Sequence, residues 1–204
     1  MKKLLVLVAL LAIASSSFAQ VKFGAKAGIN IANLKITEVD YDPGLEYKVG
    51  LTIGAFAKYS VSEKFAIQPE LLYSMKGAKI NYSEGNDYNK GSIKTNYLSI
   101  PIIAKYYLSS GFNLQAGPQM DFLLSAKTSY DSSIDGHITS ESYDFKDSLK
   151  GIDFGLAVGL GYDLENGLGI EARYILGLSE LNKNTEEDGS AKSKGFQITA
   201  SYAF

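Results

Sequence analysis

The chain has 204 residues, with 20 Lys and Arg against 22 Asp and Glu, and no cysteine. That length suits one domain. The charge balance offers no basic excess to recruit nucleic acid, and the lack of cysteine rules out disulfides and thiolate metal sites.

Lys2 and Lys3 precede an apolar run from Leu4 to Ile13, and Ser17-Phe18-Ala19 places small residues ahead of Gln20. This pattern predicts a secretory signal peptide over residues 1–19, cleaved after Ala19, and a single domain over 20–204. The run is half the length of about 20 apolar residues that a spanning helix needs. No cysteine follows it, so a lipoprotein anchor is excluded. Removal of Lys2 and Lys3 leaves 18 basic and 22 acidic side chains. No later segment has the unbroken apolar run of a membrane helix, which leaves a barrel open because barrel strands are only half apolar.

From Val21 onward the pattern has period two. The first predicted strand alternates Phe23, Ala25, Ala27 and Ile29 with Lys22, Lys26 and Asn30; the second sets Leu51, Ile53, Ala55 and Tyr59 against Thr52, Phe56 and Lys58. The third carries Phe65, Ile67, Leu71 and Tyr73 against Gln68, Glu70 and Lys76, and the fourth Leu98, Ile100, Ile102 and Tyr106 against Ser99, Ile103 and Lys105. The fifth has Phe112, Leu114 and Phe122 against Gln115, Gln119 and Asp121. The sixth runs Ile152, Phe154, Leu156 and Tyr162 against Asp153, glycines and Asp163. The seventh has Leu168, Ile170 and Tyr174 against Glu171 and Arg173, and the eighth Phe196, Ile198 and Tyr202 against Gln197 and Thr199. Such segments are twice the usual strand of about five or six residues. Twelve residues at about 3.3 Å each, tilted by about 40°, project to about 30 Å, enough for the apolar band of a membrane barrel.

A short phrase repeats at the strand ends: Lys58-Tyr59-Ser60-Val61, Tyr106-Tyr107-Leu108, Tyr162-Asp163-Leu164 and Tyr202-Ala203-Phe204. After the first three copies comes a turn of three residues, at 62–64, 109–111 and 165–167; long polar stretches at 35–48, 81–92, 128–150 and 180–192 make the other connections. Short turns at one rim and long loops at the other predict an eight-stranded antiparallel up-and-down transmembrane β-barrel, all-β, with both termini at the short-turn, periplasmic side.

Charge decides which face points inward. Each Lys or Arg near the bilayer midplane on the lipid side would cost about 2–4 kcal/mol. The polar face is therefore assigned to the lumen, with a charge network of Lys26, Lys58, Glu70, Lys76, Lys105, Asp121, Asp153, Glu171 and Arg173. An eight-stranded lumen is wide enough only for its side chains, so these groups must pair with one another. Gln68, Gln115 and Glu171 are expected in one layer and Glu70 and Arg173 one layer up, with Glu70 paired across the strands to Lys105. Tyr59, Phe65, Tyr106, Phe112, Tyr162, Tyr202 and Phe204 are expected to form an aromatic girdle at the periplasmic headgroups. Pro69, Pro101 and Pro118 fall inside predicted strands, where proline removes a ladder donor, and bulges or locally unpaired sites are expected there.

The segments Gly24-Ala25-Lys26-Ala27-Gly28-Ile29-Asn30, Gln68-Pro69-Glu70-Leu71-Leu72-Tyr73-Ser74, Tyr97-Leu98-Ser99-Ile100-Pro101 and Gly117-Pro118-Gln119 resemble the PorT-type outer-membrane β-barrel family, often labelled the porin family. Arg173-Tyr174 followed by Gly177-Leu178-Ser179 fits the same pattern. The resemblance spans almost the whole chain after residue 19. It implies an eight-stranded barrel in a Gram-negative outer membrane and a C-terminal Phe204 read by the barrel-assembly machinery. It implies little about activity.

No catalytic, cofactor-binding or metal-binding residue is expected, and the chain is read as not an enzyme. His137, the single histidine, lies near Ser132, Ser133 and Asp135 in the longest loop, but Ser and Asp are ordinary turn formers. Asp131, Ser133, Asp135, Gly136 and Ile138 match part of a calcium-loop pattern, but its last ligand position holds Ser142, with Glu141 one residue early. The expected partners are outer-membrane lipid and a protein at the long loops, whose net charge is acidic. The function expected is structural or interactive; a narrow porin-like or secretion-associated pathway is the second reading, and a lipid A modifying enzyme the third.

Overall fold

The computed structural model describes residues 21–37, 45–84, 87–134, 137–184 and 190–204. These residues form nine strands: β1 Val21–Thr37, β2 Leu45–Ser62, β3 Phe65–Glu84, β4 Asp87–Tyr107, β5 Phe112–Ile134, β6 His137–Asp144, β7 Ile152–Asp163, β8 Leu168–Gly177 and β9 Ser190–Ala203. A 3-10 turn, Lys146–Ser148, lies between β6 and β7.

Eight of the strands close a ring. β1 to β5 pair in sequence, β5 continues to β7, β7 to β8 and β8 to β9, all antiparallel, and β9 returns to β1 over Gly24↔Ala203 to Thr37↔Ser190. The strand outside the ring is β6. It pairs with Lys127–Ile134, the far half of β5, while the near half of β5 pairs with β7 through Phe112↔Tyr162 to Phe122↔Ile152. The predicted ring of eight is observed, and β6 is an addition to it. Strand pairing also extends into the stretches read as loops. β3 and β4 pair out to Glu84↔Asp87, and β5 and β6 out to Ile134↔His137. These extensions are polar on both faces, so they lack the alternation by which a half-buried strand is read.

Accessibility is inverted relative to a water-soluble protein. Leu51, Ile170 and Phe196 are 50–61% exposed on the outer wall, while Lys26, Lys105 and Glu171 are 1–2% exposed inside. An apolar surface running round the whole ring is far beyond the isolated patches of soluble monomers.

Three tight turns close one rim. Gly111 and Gly167 have φ of 85° and 89°, a left-handed conformation that glycine adopts without steric cost. Leu164 donates its N–H to the Leu168 carbonyl at 2.7 Å, and Asn166 Oδ1 accepts from the Leu168 N–H at 3.1 Å. At the first turn, Ser62 Oγ accepts from the Lys64 N–H.

Of the two accommodations expected for the prolines, locally unpaired sites are observed and bulges are not. The register irregularities of β2–β3 lie between Tyr47 and Thr52 and between Ser60 and Ser62, and that of β4–β5 lies between Asn96 and Tyr97, all away from proline. Instead the ladders skip. β2–β3 pairing passes from Phe56↔Glu70 to Tyr59↔Ile67 around Pro69, and β4–β5 pairing passes from Pro101↔Gln119 to Ala104↔Ala116 around Pro118. Pro69 lies opposite Ile102, and the register carries Pro118 to the other side of the same residue. The missing N–H donors are thus gathered at one place in the wall, and the pairing on either side keeps its register.

Candidate functional site

The lumen is the chemically dense part of the molecule. Among the described residues the charges held inside it balance: Lys26, Lys58, Lys76, Lys105 and Arg173 face Glu70, Asp121, Asp153, Asp163 and Glu171, while Lys22, on the same face opposite Lys58, stands exposed at the short-turn rim. An isolated buried charge would cost several kcal/mol, so this matching is a condition for the lumen to exist.

The densest cluster sits at mid-barrel. Arg173 of β8 forks onto Glu70 of β3, with Nη1 to Oε2 at 2.9 Å and Nη2 to Oε1 at 2.7 Å. The same Nη2 donates to Glu171 at 2.7 Å, and Nε donates to Gln115 Oε1 at 2.6 Å. Lys26 of β1 donates to Glu70 at 2.6 Å and also to Glu171. Lys105 of β4 reaches Glu171 at 2.8 Å. Gln68 adds a donor to Glu70 at 2.7 Å. Bidentate guanidinium–carboxylate contact is the strongest form of such pairing and fixes orientation as well as charge.

The expected pairing of Glu70 with Lys105 is not observed. Lys105 lies opposite Ala66 in the β3–β4 register, four residues nearer the short turns than Glu70. Its ammonium therefore crosses the lumen to Glu171 and Asp163, and Glu70 is taken by Lys26 and Arg173. Lys58 likewise pairs with Asp163 at 3.0 Å, near the short-turn rim, where the Tyr107 hydroxyl also donates to Asp163 at 2.7 Å. Asp163 joins three of these groups. It lay on the polar face of its predicted strand, but its role as a hub follows only from the three-dimensional register.

A second cluster lies toward the other end. Lys76 donates to Asp121 at 2.6 Å and lies 5.1 Å from the Tyr97 ring centroid. Asp153, opposite Asp121 in the β5–β7 register, accepts from Ser179 Oγ at 2.5 Å and Ser193 Oγ at 3.0 Å. Between the two clusters Gln197 donates to Asn30 at 3.0 Å, and Asn30 to the Met75 carbonyl at 3.1 Å.

Space for the long side chains comes from β7. Its inward positions between Asp153 and Asp163 are Gly155, Ala157, Gly159 and Gly161. A Cβ on Gly159 would sit 2.2 Å from the Ala172 carbonyl and 2.9 Å from Arg173 Cγ; one on Gly161 would sit 2.3 Å from Gln115 Nε2. The glycines predicted on the polar side of this strand are the gap that the arginine and glutamine occupy.

Above the second cluster the lumen ends in an apolar cap. Tyr97, Leu123 and Ala126 of the wall pack with Leu149, Leu181 and Ala191, and Leu34 and Phe145 pack against them. The cap is made by two connecting segments that fold inward: Leu149 bridges to Asn182, Lys150 donates to the Leu181 carbonyl at 2.8 Å, and Leu181 to the Ala191 carbonyl at 2.9 Å. Glu180 pins the second segment, accepting from the Ser190 hydroxyl and from the N–H of Ala191, Leu181 and Asn182. Burial alone would raise its pKa, but these hydrogen bonds outweigh it and hold the carboxyl below the ordinary carboxylate range. The cap was not read from the sequence. Its only trace there is a few apolar residues, Phe145, Leu149 and Leu181, isolated within polar stretches.

On the outside, Tyr59, Tyr106, Tyr162, Tyr202 and Phe204 are 37–76% exposed, and Phe65 and Phe112 are half-buried. Phe65 lies opposite Tyr106 and Phe112 opposite Tyr162, and the rings of Tyr202 and Phe204 meet edge to face at 5.7 Å. Of the residues considered for chemistry, Asp135 and Gly136 lie outside the described residues. Asp131, Ser132, Ser133, His137 and Ile138 belong to a segment whose backbone is paired from Asp131↔Ser140 to Ile134↔His137.

The chain is similar to several solved barrels. Ail of Yersinia pestis is 14% identical over 91% of this chain and 99% of that one, with a TM-score of 0.49. Neisserial surface protein A is 12% identical over 89% and 97%, with a TM-score of 0.47. OprG of Pseudomonas aeruginosa is 14% identical over 90% and 95%, with a TM-score of 0.41. Comparison with curated proteins gives no match. The family model described as outer membrane protein beta-barrel domain matches residues 15–183. An apolar outer wall, a charge-balanced lumen and this match agree, and the chain belongs to the outer membrane protein beta-barrel domain family, whose members lie in the bacterial outer membrane.

Proposed function

We propose that this protein is a sealed outer-membrane barrel with a structural or interaction role, presenting its long connections to the outside of the cell and its short turns to the periplasm. The observation that carries the reading is the lumen. Lys26, Glu70, Glu171 and Arg173 bond to one another across the full width of the barrel. The Leu149–Leu181 cap then covers the loop-side end. A solute crossing the barrel would have to break several buried ion pairs at once, each several kcal/mol. The charged groups of the lumen are committed to one another, which favours this role over an enzyme's. The aromatic residues at the short-turn rim act as the periplasmic headgroup anchor. The PorT-type resemblance of the Gln68–Ser74 and Tyr97–Pro101 segments supports membership of that branch.

Planar-bilayer recording of the purified chain tests the reading. No steady conductance is expected. Discrete, long-lived channels of any size would overturn it in favour of a transport pathway.

A further inference from the structure

The lumen is neutral as a whole but not along its length. Among the described residues, Lys26, Lys58, Lys105 and Arg173 meet Glu70, Asp163 and Glu171 in the short-turn half, a surplus of one base. In the loop-side half Lys76 meets Asp121 and Asp153, a surplus of one acid. An uncharged layer separates the halves. Leu72, Ile103, Ala157 and Ile175 are buried there, beside the hydrogen-bonded pair of Asn30 and Gln197. The surplus base therefore does not reach the surplus acid.

That acid is Asp153. Lys76 is committed to Asp121 at 2.6 Å, and Gln119 Nε2 donates to the same carboxylate at 3.0 Å. Asp153 is 2% exposed and forms no ion pair among the described residues. Its two oxygens accept from Ser179 Oγ at 2.5 Å and Ser193 Oγ at 3.0 Å. Hydroxyl dipoles soften a buried negative charge but do not cancel it.

Oxygen atoms with lone pairs to spare lie around this carboxylate. Ser99 is fully buried, directly opposite Asp121, which is itself opposite Asp153. Its hydroxyl has no hydrogen-bond partner among the described residues, and the same is true of the buried Gln197 Oε1. Ser193 and Lys76, the neighbours of the two acids, line one cavity of about 20 Å³ together with Asn30, Thr95 and Tyr97. That volume has room for one water-sized body. The donors are hard oxygens, the ligands of hard cations. Among the described residues no third acid or histidine joins the two aspartates, so the set is short of charge for a divalent ion. Lys76, Asp121 and Asp153 sum to one negative charge, which one monovalent cation cancels.

We propose that the loop-side half of the lumen, beneath the apolar cap, binds a single sodium-sized monovalent cation between Asp153, Asp121 and the hydroxyls of Ser99 and Ser193. The inference goes beyond the role given above and does not rest on it, because ion occupancy is read without any conductance measurement.

The test uses the full chain folded in neutral detergent micelles. Sodium chloride is exchanged stepwise for N-methylglucamine chloride, whose cation is too large for the cavity, at constant ionic strength and neutral pH. Occupancy is read by equilibrium dialysis against radioactive sodium, and stability by urea unfolding. One sodium per chain is expected to be retained. Above the dissociation constant, each tenfold rise in sodium should raise the urea midpoint by about 0.7 M, for a urea dependence of about 2 kcal/mol per molar. Asp153→Asn should lose both the retained ion and the sodium dependence. Lys76→Gln leaves two uncompensated carboxylates, so its sodium dependence should set in at lower sodium; this variant decides the matter where Asp153→Asn fails to fold. Asp147→Asn, an exposed acid beside the cap, should match the parent chain in both readouts. Equal midpoints in the two salts with no sodium retained would overturn the proposal and assign the missing charge to a proton. Sodium retained by Asp153→Asn, weaker binding in Lys76→Gln, or loss of the ion in Asp147→Asn would overturn it as well.

Discussion

Glu70→Gln is the sharpest probe of the lumen. The Glu70 carboxylate accepts from Lys26 at 2.6 Å, from Gln68 at 2.7 Å and from Arg173 at 2.7 and 2.9 Å. The amide keeps the shape and one acceptor, but removes the charge and points an N–H2 group at existing donors. Lys26 and Arg173 are then left to share Glu171. Removing one partner from a buried pair costs about 3–5 kcal/mol. With a urea dependence of about 2 kcal/mol per molar, the midpoint of unfolding should fall by about 1.5–2.5 M. The assay is equilibrium urea unfolding of the purified chain in lipid vesicles, followed by loss of β-structure and by the gel-mobility difference between folded and unfolded barrel. The partner assignment is tested by cycles. Glu70→Gln with Lys26→Met should show coupling of about 2 kcal/mol, within the range for contacting charged groups. Glu70→Gln with Lys105→Met should show less, because Lys105 meets Glu171 and Asp163 instead. A cost for Glu70→Gln below about 1 kcal/mol would refute the claim that the network carries stability. A larger coupling to Lys105 than to Lys26 would refute the observed partners.

Further outcomes follow from the same geometry. Gly159→Leu drives a side chain into the space of Arg173, where its Cβ alone would lie 2.2 Å from the Ala172 carbonyl; a loss above the usual overpacking range of about 1–3 kcal/mol is expected, read as a lower folded fraction in vesicles. Leu181→Ala empties part of the cap and should cost about 2–5 kcal/mol locally, with faster amide exchange at Lys150 and Leu181 and unchanged exchange in the mid-barrel strands. For Glu180 the folded pKa is lowered, so its contribution is full above the unfolded value of about 4.3 and is lost as pH falls toward the lower folded value. Amide exchange at Leu181 and Ala191, corrected for its intrinsic pH dependence, should rise on acidification below about pH 4, and Glu180→Gln should remove that pH dependence.

Much of the ring was legible because its signal is local. The outer wall needs apolar residues at every second position, and β4 supplies them as Leu98, Ile100, Ile102, Ala104 and Tyr106. The three-residue turns are written in Gly111 and Gly167. What was not legible depends on register between distant strands. Lys26 and Glu171 are 145 residues apart, and which acid each base meets is set by strand offset and lumen width, neither of which leaves a mark on a single strand. Strand adjacency does not decide contact for Lys105 and Glu70, because in a lumen this narrow a lysine crosses it as easily as it follows the wall. The cap is illegible in the sequence for a related reason. Leu149 and Leu181 lie in polar stretches without period, and their burial arises only because the two segments bridge each other over the open end. β6 is hidden by its polar faces, since pairing without burial leaves no alternation.

The bare inner face of β7 bears on how the barrel is assembled. Between Asp153 and Asp163, glycine and alanine bring no charge and no bulk, so the middle of β7 can enter a growing sheet without needing a partner. The demand falls on the strands around it. Lys26, Glu70 and Lys105 arrive early in the chain, and the residues that complete their coordination, Glu171 and Arg173, arrive on β8. A sheet stopped before β8 would hold Lys26 and Glu70 without the Arg173 and Glu171 that complete their bonds, and Lys105 with Asp163 alone. Docking of β8 adds one acid and one base, Glu171 and Arg173, which leaves the net charge unchanged and completes the ion-pair network, and β9 then joins β1. The seam between the first and last strands is locked by charge as well as by its ladder, and partial barrels should be scarce intermediates.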